Sequence, residues 1–275
     1  PAINWTQFLA SGLWAVTVMN EYDHILGFHK INAFRDAVHN SVGGKENYFQ
    51  VEERIDFDPY TILGQKTKGG KITEKDCLVM QEIWKGPHTT GNDFLWYSFL
   101  PGGTFWNKII PIGSFYYPLI GKRPKCFSLV EQYVHLAFED PKKDLLHLKI
   151  RDFEKVFDTC IRKLGWLSCD HADLRPFANA GGKLIIDHGL DDPLIPVEGT
   201  IDYYHRMREI HGGQNFIDQF CRLYINPGDG HGNCHTNGPG MTESTGIQAL
   251  MNWVEQNKAP ENLPAVLVNQ KTGKT

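Results

Sequence analysis

The stretch Gly181-Gly182-Lys183-Leu184-Ile185-Ile186-Asp187-His188-Gly189-Leu190-Asp191-Asp192-Pro193 decides the fold class. Two glycines precede a short aliphatic run ending at Ile186, and such a run between turn residues fits an interior parallel strand. The polar residues that follow put Asp191 and Asp192 just past the strand's C-terminal end. In open α/β sheets, ligands and catalytic groups collect at that edge. A second run over 220–225 stops at Pro227-Gly228-Asp229-Gly230-His231 and repeats the arrangement with a histidine. Between the two, Ile201, Tyr204 and Met207 mark one face of a helix over 197–210, stopped by Gly212-Gly213. A last helix is expected over 245–257. Strand, helix, strand, helix points to parallel βαβ packing.

Upstream of this closing third the patterning is mostly helical. Trp5, Phe8, Leu9, Leu13 and Trp14 predict one apolar helix over 4–19. Residues 1–20 carry no charge, yet Asn4, Thr6, Gln7, Ser11, Thr17 and Asn20 interrupt them and no basic segment leads in. That argues for a buried helix over a signal peptide or a membrane span. Residues 21–55 are mixed, with Gly43-Gly44 marking a loop, and place no element. Thr73 with Asp76 resembles a capping box; Leu78, Val79, Ile83 and Trp84 then form an apolar face that Gly86-Pro87 ends. Two further helices are expected over 127–140 and 150–164, the second with Phe153, Val156, Phe157 and Ile161 on one side.

Residues 92–118 are different. They are rich in aromatic rings, among them Trp96, Tyr97, Phe105, Trp106 and Phe115, but follow no regular period. One reading is a small satellite core under long loops. The other is a lid whose rings line a pocket for an aromatic substrate.

Charge narrows the partners. With 28 Lys+Arg against 32 Asp+Glu, the net charge of −4 gives no electrostatic case for nucleic acid or an anionic membrane surface. The six cysteines include no C-x-x-C pair and declare no disulfide framework.

An acid after one strand and a histidine after the next is the tail of a Ser…Asp…His order. Such a triad needs an imidazole to take the nucleophile's proton and a carboxylate to fix its tautomer. Asp192 and His231 suit these roles. The plainer alternatives are that Asp192 caps the following helix and that His231 is an exposed turn residue. Asp191 competes for the acid role, Asp187 less so, and His188 reads as a residue that orients the loop. The nucleophile elbow G-x-S-x-G is absent: Ser11, Ser41, Ser98, Ser114, Ser128, Ser168 and Ser244 all lie outside that frame. Asp229, His231, Cys234 and His235 are ligand types that suit zinc. No second ligand cluster accompanies them, and adjacent Cys-His is awkward for a single ion, so no metal is expected.

Taken together, several segments resemble the tannase and feruloyl esterase family. The segment Gly181-Gly182-Lys183-Leu184…His188-Gly189…Asp192…Ile195-Pro196 is similar to its acid-bearing stretch. Tyr203-Tyr204 and Arg222-Leu223…Pro227-Gly228…His231 resemble its helix and histidine loop, and Trp253-Val254-Glu255…Ala259-Pro260…Leu263 its closing helix and tail. Phe57-Asp58-Pro59, Ile83-Trp84…Gly86-Pro87 and Leu95-Trp96-Tyr97 are similar to lid segments, and Pro1-Ala2-Ile3-Asn4-Trp5 to the stretch that follows the nucleophile elbow. The resemblance implies an α/β fold: an α/β-hydrolase-type parallel sheet, here its C-terminal part, with an inserted, loop-rich lid domain. Residues 1–50 and 166–275 would form the core and 51–165 the lid. It implies a serine esterase acting on small-molecule aromatic esters, with Asp192 as acid and His231 as base. Trp96, Tyr97, Phe105, Trp106 and Phe115 would contact the substrate. The serine would come from an upstream segment or another chain, leaving this chain inactive alone; no cofactor, nucleic-acid or membrane partner is implied. A non-catalytic relative that binds aromatic ligands is the alternative. Two positions depart from the family pattern. Gly232 stands where a bridging cysteine is common, with Cys234 as a substitute, and residues 36–53 lack the aspartates of a calcium loop.

Overall fold

The computed structural model describes residues 2–42, 55–103, 126–232 and 238–267. The single helix expected over 4–19 is two, α1 (Trp5–Ser11) and α2 (Trp14–Glu21). The break falls at Gly12, where a Cβ would stand 2.4 Å from Val130 Cγ2. The close approach of a later helix therefore requires glycine there, a tertiary demand that hydrophobic spacing does not reveal. Next comes α3 (Phe28–Ser41), which the mixed polarity of 21–55 concealed; it buries Ile31, Ala33, Phe34 and Val38. A small antiparallel hairpin, β1 (Lys66–Thr67) and β2 (Gly70–Lys71), leads into α4 (Glu74–Lys85).

The capping box is present with aspartate in the second position. Asp76 N–H donates to Thr73 Oγ1 at 3.2 Å, and Thr73 N–H donates to Asp76 Oδ2 at 2.7 Å. The same buried carboxylate also receives His24 Nε2 at 2.8 Å and Lys30 Nζ at 2.6 Å, tying α3 and its lead-in to the start of α4. Burial would raise the Asp76 pKa, but these donors outweigh it and lower it.

The next two helices are α5 (Ser128–Phe138) and α6 (Ile150–Leu164), close to their expected spans. Helix α1 packs on α5 and α6, and α2 on α4 and α6. Trp14 joins the layers: its ring meets Phe153 edge-on at 4.9 Å, and its Nε1–H donates to Glu82 O at 3.0 Å. The expected core–lid boundary near residue 50 lies outside the described residues. Helices on both sides of it share one hydrophobic cluster.

The closing third runs α7 (Arg175–Asn179), β3 (Leu184–Gly189), α8 (Val197–Ile210), α9 (Gln214–Ile217) and β4 (Cys221–Asn226). A short antiparallel pair, β5 (Gly240–Met241) and β6 (Ala265–Val266), brackets α10 (Glu243–Gln256). β3 and β4 pair in parallel from Leu184↔Cys221 to Gly189↔Asn226. β3 thus continues past Ile186, because Asp187 and His188 keep their ladder partners in Tyr224 and Ile225. Ile186 is buried with Met207, Ile217 and Phe220 in a second cluster beneath α8 and α9. Against β3 lies α10, whose Trp253 is 2% exposed beneath the cations of Lys183 and Arg222, at 5.5 and 5.0 Å from its ring. No helix among the described residues is long and apolar enough to cross a membrane.

Candidate active site

The ends of β3 and β4 bring together the acid and the imidazole that are 39 residues apart in sequence. The main chain does the joining. Leu190 N–H donates to Asn226 O at 2.9 Å and Asp191 N–H to Asp229 O at 3.1 Å. At Gly189 a Cβ would meet Asp229 O at 2.3 Å, so only glycine lets the two loops touch.

Across this junction His231 Nδ1–H donates to Asp192 Oδ2 at 3.0 Å. Asp192 is buried, while the His231 side chain is 37% exposed. The other carboxylate oxygen, Oδ1, accepts Leu194 N–H at 2.8 Å and Ile195 N–H at 2.9 Å. Asp192 is therefore not the cap of α8, whose N-terminal residue is preceded by Pro196. It closes a local turn that holds its own side chain still. Asp191 is buried too, but the acid that meets His231 is Asp192.

His188 also joins the group. Its Nε2 lies 3.3 Å from Asp192 Oδ2 and its Nδ1 lies 2.8 Å from Thr200 Oγ1 on α8. Burial would raise the Asp192 pKa, yet the hydrogen bonds from His188 and His231 outweigh it and hold the carboxyl below the ordinary carboxylate range. The Asp192 hydrogen bond raises the His231 pKa, with burial opposing it. For His188 burial dominates and lowers the pKa.

His231 and Asp192 open onto a cavity of about 390 Å³, within the size range of small-molecule sites. Trp5 and Phe8 of α1, Leu129 of α5, and Leu194 and Ile195 of the acid loop form its apolar wall. Spacing alone places Trp5 and Phe8 on a buried helical face; only the likeness of residues 1–5 to the stretch after the nucleophile elbow hints that this face lies near His231.

Of the five aromatic residues expected to contact substrate, Trp96 and Tyr97 lie among the described residues. Trp96 is buried in the main cluster, its Cζ2 only 2.9 Å from where a Cβ on Gly199 of α8 would stand. Tyr97 directs its hydroxyl to Asp202 Oδ1 at 3.4 Å. Neither lines the His231 cavity, because both are committed to packing the 92–103 segment onto α8. Phe105, Trp106 and Phe115 lie outside the described residues. So do Cys234 and His235 of the metal alternative; among the described residues no group of three or more His, Cys, Asp or Glu side chains is placed to hold a metal ion. Gly232 adopts φ +71°, a backbone a cysteine would enter only under strain. No described serine lines the cavity, and the hydroxyls of Ser11, Ser41, Ser98 and Ser168 donate to Gln7 O, Val38 O, Ile83 O and Gln7 Oε1.

Helix-flanked parallel strands, with an acid and a histidine at successive strand ends, define an α/β-hydrolase-type architecture. The fold of tannin acyl hydrolase from Aspergillus niger superposes on all of this chain and 54% of that one, with TM-score 0.78 and 23% identity. The family model for tannase and feruloyl esterase matches residues 123–275, and the chain belongs to that family. It is 28% identical to the "Probable feruloyl esterase" of Arthroderma benhamiae, over 96% of this chain and 50% of that protein. Against the tannase of Aspergillus oryzae it is 24% identical, over 75% of this chain and 37% of that one. The chain thus spans half or less of the length of these relatives.

Proposed function

We propose that this chain supplies the acid and base of a Ser-His-Asp triad that hydrolyses esters of aromatic, chiefly phenolic, carboxylic acids. The observation that carries the reading is the Asp192–His231 hydrogen bond at the edge of an apolar cavity. Membership of a family whose relatives are named feruloyl esterase and tannase supports the ester chemistry. Absence of G-x-S-x-G from the 275 residues supports a nucleophile contributed from upstream sequence or another chain.

In this mechanism His231 Nδ1–H stays bound to Asp192, which leaves Nε2 as the base. Nε2 takes the serine proton as the oxygen attacks the ester carbonyl. Asp192 stabilises the imidazolium, which then protonates the departing alcohol. Water repeats the sequence on the acyl-enzyme and releases the aromatic acid. The apolar wall of Trp5, Phe8 and Leu129 suits the ring of the acyl group.

The test is to assay methyl gallate and methyl ferulate with the full-length protein, with this chain alone, and with a full-length His231→Ala variant. Turnover by the full-length protein, none by the chain alone, and a loss of about 10⁴-fold or more in the variant are expected. Turnover of neither ester would overturn the reading in favour of a non-catalytic aromatic-ligand-binding relative, and full activity without His231 would overturn its role as the base.

A further inference from the structure

Two imidazoles converge on one oxygen of Asp192, and the triad chemistry uses only one of them. His188 is 1% exposed and fixed on β3 by its register with Ile225. An ionised carboxylate can only accept, so Nε2 of His188 must carry the proton. Nδ1 is then an acceptor, and the buried Thr200 hydroxyl, 2.8 Å away, is its donor. The tautomer is thus set from both ends. Burial disfavours a second proton on this ring and keeps it a neutral donor.

We propose that His188 is a positioning residue of the acid–base pair: the buried relay from Thr200 through His188 holds Asp192 Oδ2 toward His231 and limits the negative charge that oxygen presents to the His231 ring. The proposal rests on the acid and base roles given above. Leu194 and Ile195 hold Oδ1, so the carboxylate keeps that anchor when His188 is removed, while Oδ2 loses one of its two partners. What changes is the number of donors sharing its charge. With one donor fewer, Oδ2 attracts the His231 proton more strongly, and the base becomes harder to deprotonate. His188 therefore keeps His231 usable as a base nearer neutral pH. The chain's amino terminus acts on both rings and Asp187 of β3 on that of His188; Asp191 and Asp229 lie in the adjoining loops and Glu198 in the first turn of α8. All are constant across the variants below.

The experiment is an NMR titration of the His231 ring in the intact chain, comparing wild type with His188→Leu, His188→Gln and Thr200→Val. His188→Leu should raise the His231 midpoint by about half a pH unit or more. His188→Gln, whose amide can both donate to Asp192 and accept from Thr200, should restore most of the wild-type value. Thr200→Val preserves shape and should shift the midpoint in the same direction by less, deciding the question if His188→Leu fails to fold. An unchanged or lowered midpoint in the folded variants overturns the proposal, since a histidine that only filled space would leave it in place. The readout needs no ester turnover, so its failure is distinguishable from failure of the esterase reading.

Discussion

Replacing Asp192 with asparagine separates shape from charge at the centre of the site. The carboxylate accepts four hydrogen bonds, two main-chain and two imidazole. In Asp192→Asn the amide oxygen can keep Leu194 and Ile195, but the NH₂ then faces the N–H groups of His188 and His231. Each buried donor left without an acceptor costs about 1–3 kcal/mol, and His188, at 1% exposure, has no solvent to turn to. His231, at 37% exposure, can escape by turning or by moving its proton to Nε2, the nitrogen needed as base. Loss of the correct tautomer in such a triad lowers kcat by about 10⁴-fold. At 1.36 kcal/mol per decade that is about 5 kcal/mol of transition-state stabilisation. The assay is kcat/KM of the full-length protein on methyl gallate or methyl ferulate, with the His231 titration recorded alongside. A fall of at least about 10³-fold and a lowered His231 midpoint are expected. A folded Asp192→Asn protein that keeps more than about a tenth of wild-type activity refutes the acid role, since that gap is under 1.4 kcal/mol.

Three further outcomes are expected. The raised His231 pKa places the acidic limb of the kcat/KM–pH profile above the ordinary histidine value of about 6.5, with activity falling as pH drops through it; a limb at or below 6.5 contradicts this. Asp76→Asn should cost about 3–5 kcal/mol, because it leaves Lys30 and His24 without their buried carboxylate. The Asp76 pKa is lowered in the folded state, so its contribution is present above the unfolded carboxylate pKa and lost as pH falls through the folded one; melting temperature against pH should be flatter in acid for the variant. Gly189→Ala puts a methyl 2.3 Å from Asp229 O, so it should cost about 1–3 kcal/mol and weaken the His231–Asp192 hydrogen bond, checked by thermal melts and the His231 Nδ1–H resonance.

How legible this was depends on where the information resides. The spans of α6 and α8 could be read directly, since an amphipathic stripe and a glycine stop are local features. Thr73 and Asp76 announced α4 for the same reason. Two apolar runs, each closed by a polar turn, locate the two strands and put candidate acids and a histidine after them, whereas the choice of Asp192 over Asp191 comes from the family resemblance. The need for glycine at position 12 depends on Val130, more than a hundred residues away, and leaves no local trace. Helix α3 is preceded by Gly27, which offers no side-chain cap, and only tertiary burial reveals its apolar face. For Trp96 and Tyr97 the sequence does not separate a pocket from a core, because an aromatic ring has the same spelling in both. His188 was noted as a loop-orienting residue, but its link to Thr200 spans a loop and the first turn of α8.

The contact between Gly189 and Asp229 bears on how such a protein can change. Acid and base are registered by main-chain contacts between two loops, whereas Trp5, Phe8 and Leu129 of the apolar wall beside them are side chains of α1 and α5. Substitutions at Trp5, Phe8 or Leu129 can reshape the chamber without touching the hinge that aligns the proton-handling pair. On the proposed function, that part of the wall could vary to fit different substrates while the Asp192–His231 geometry stays fixed.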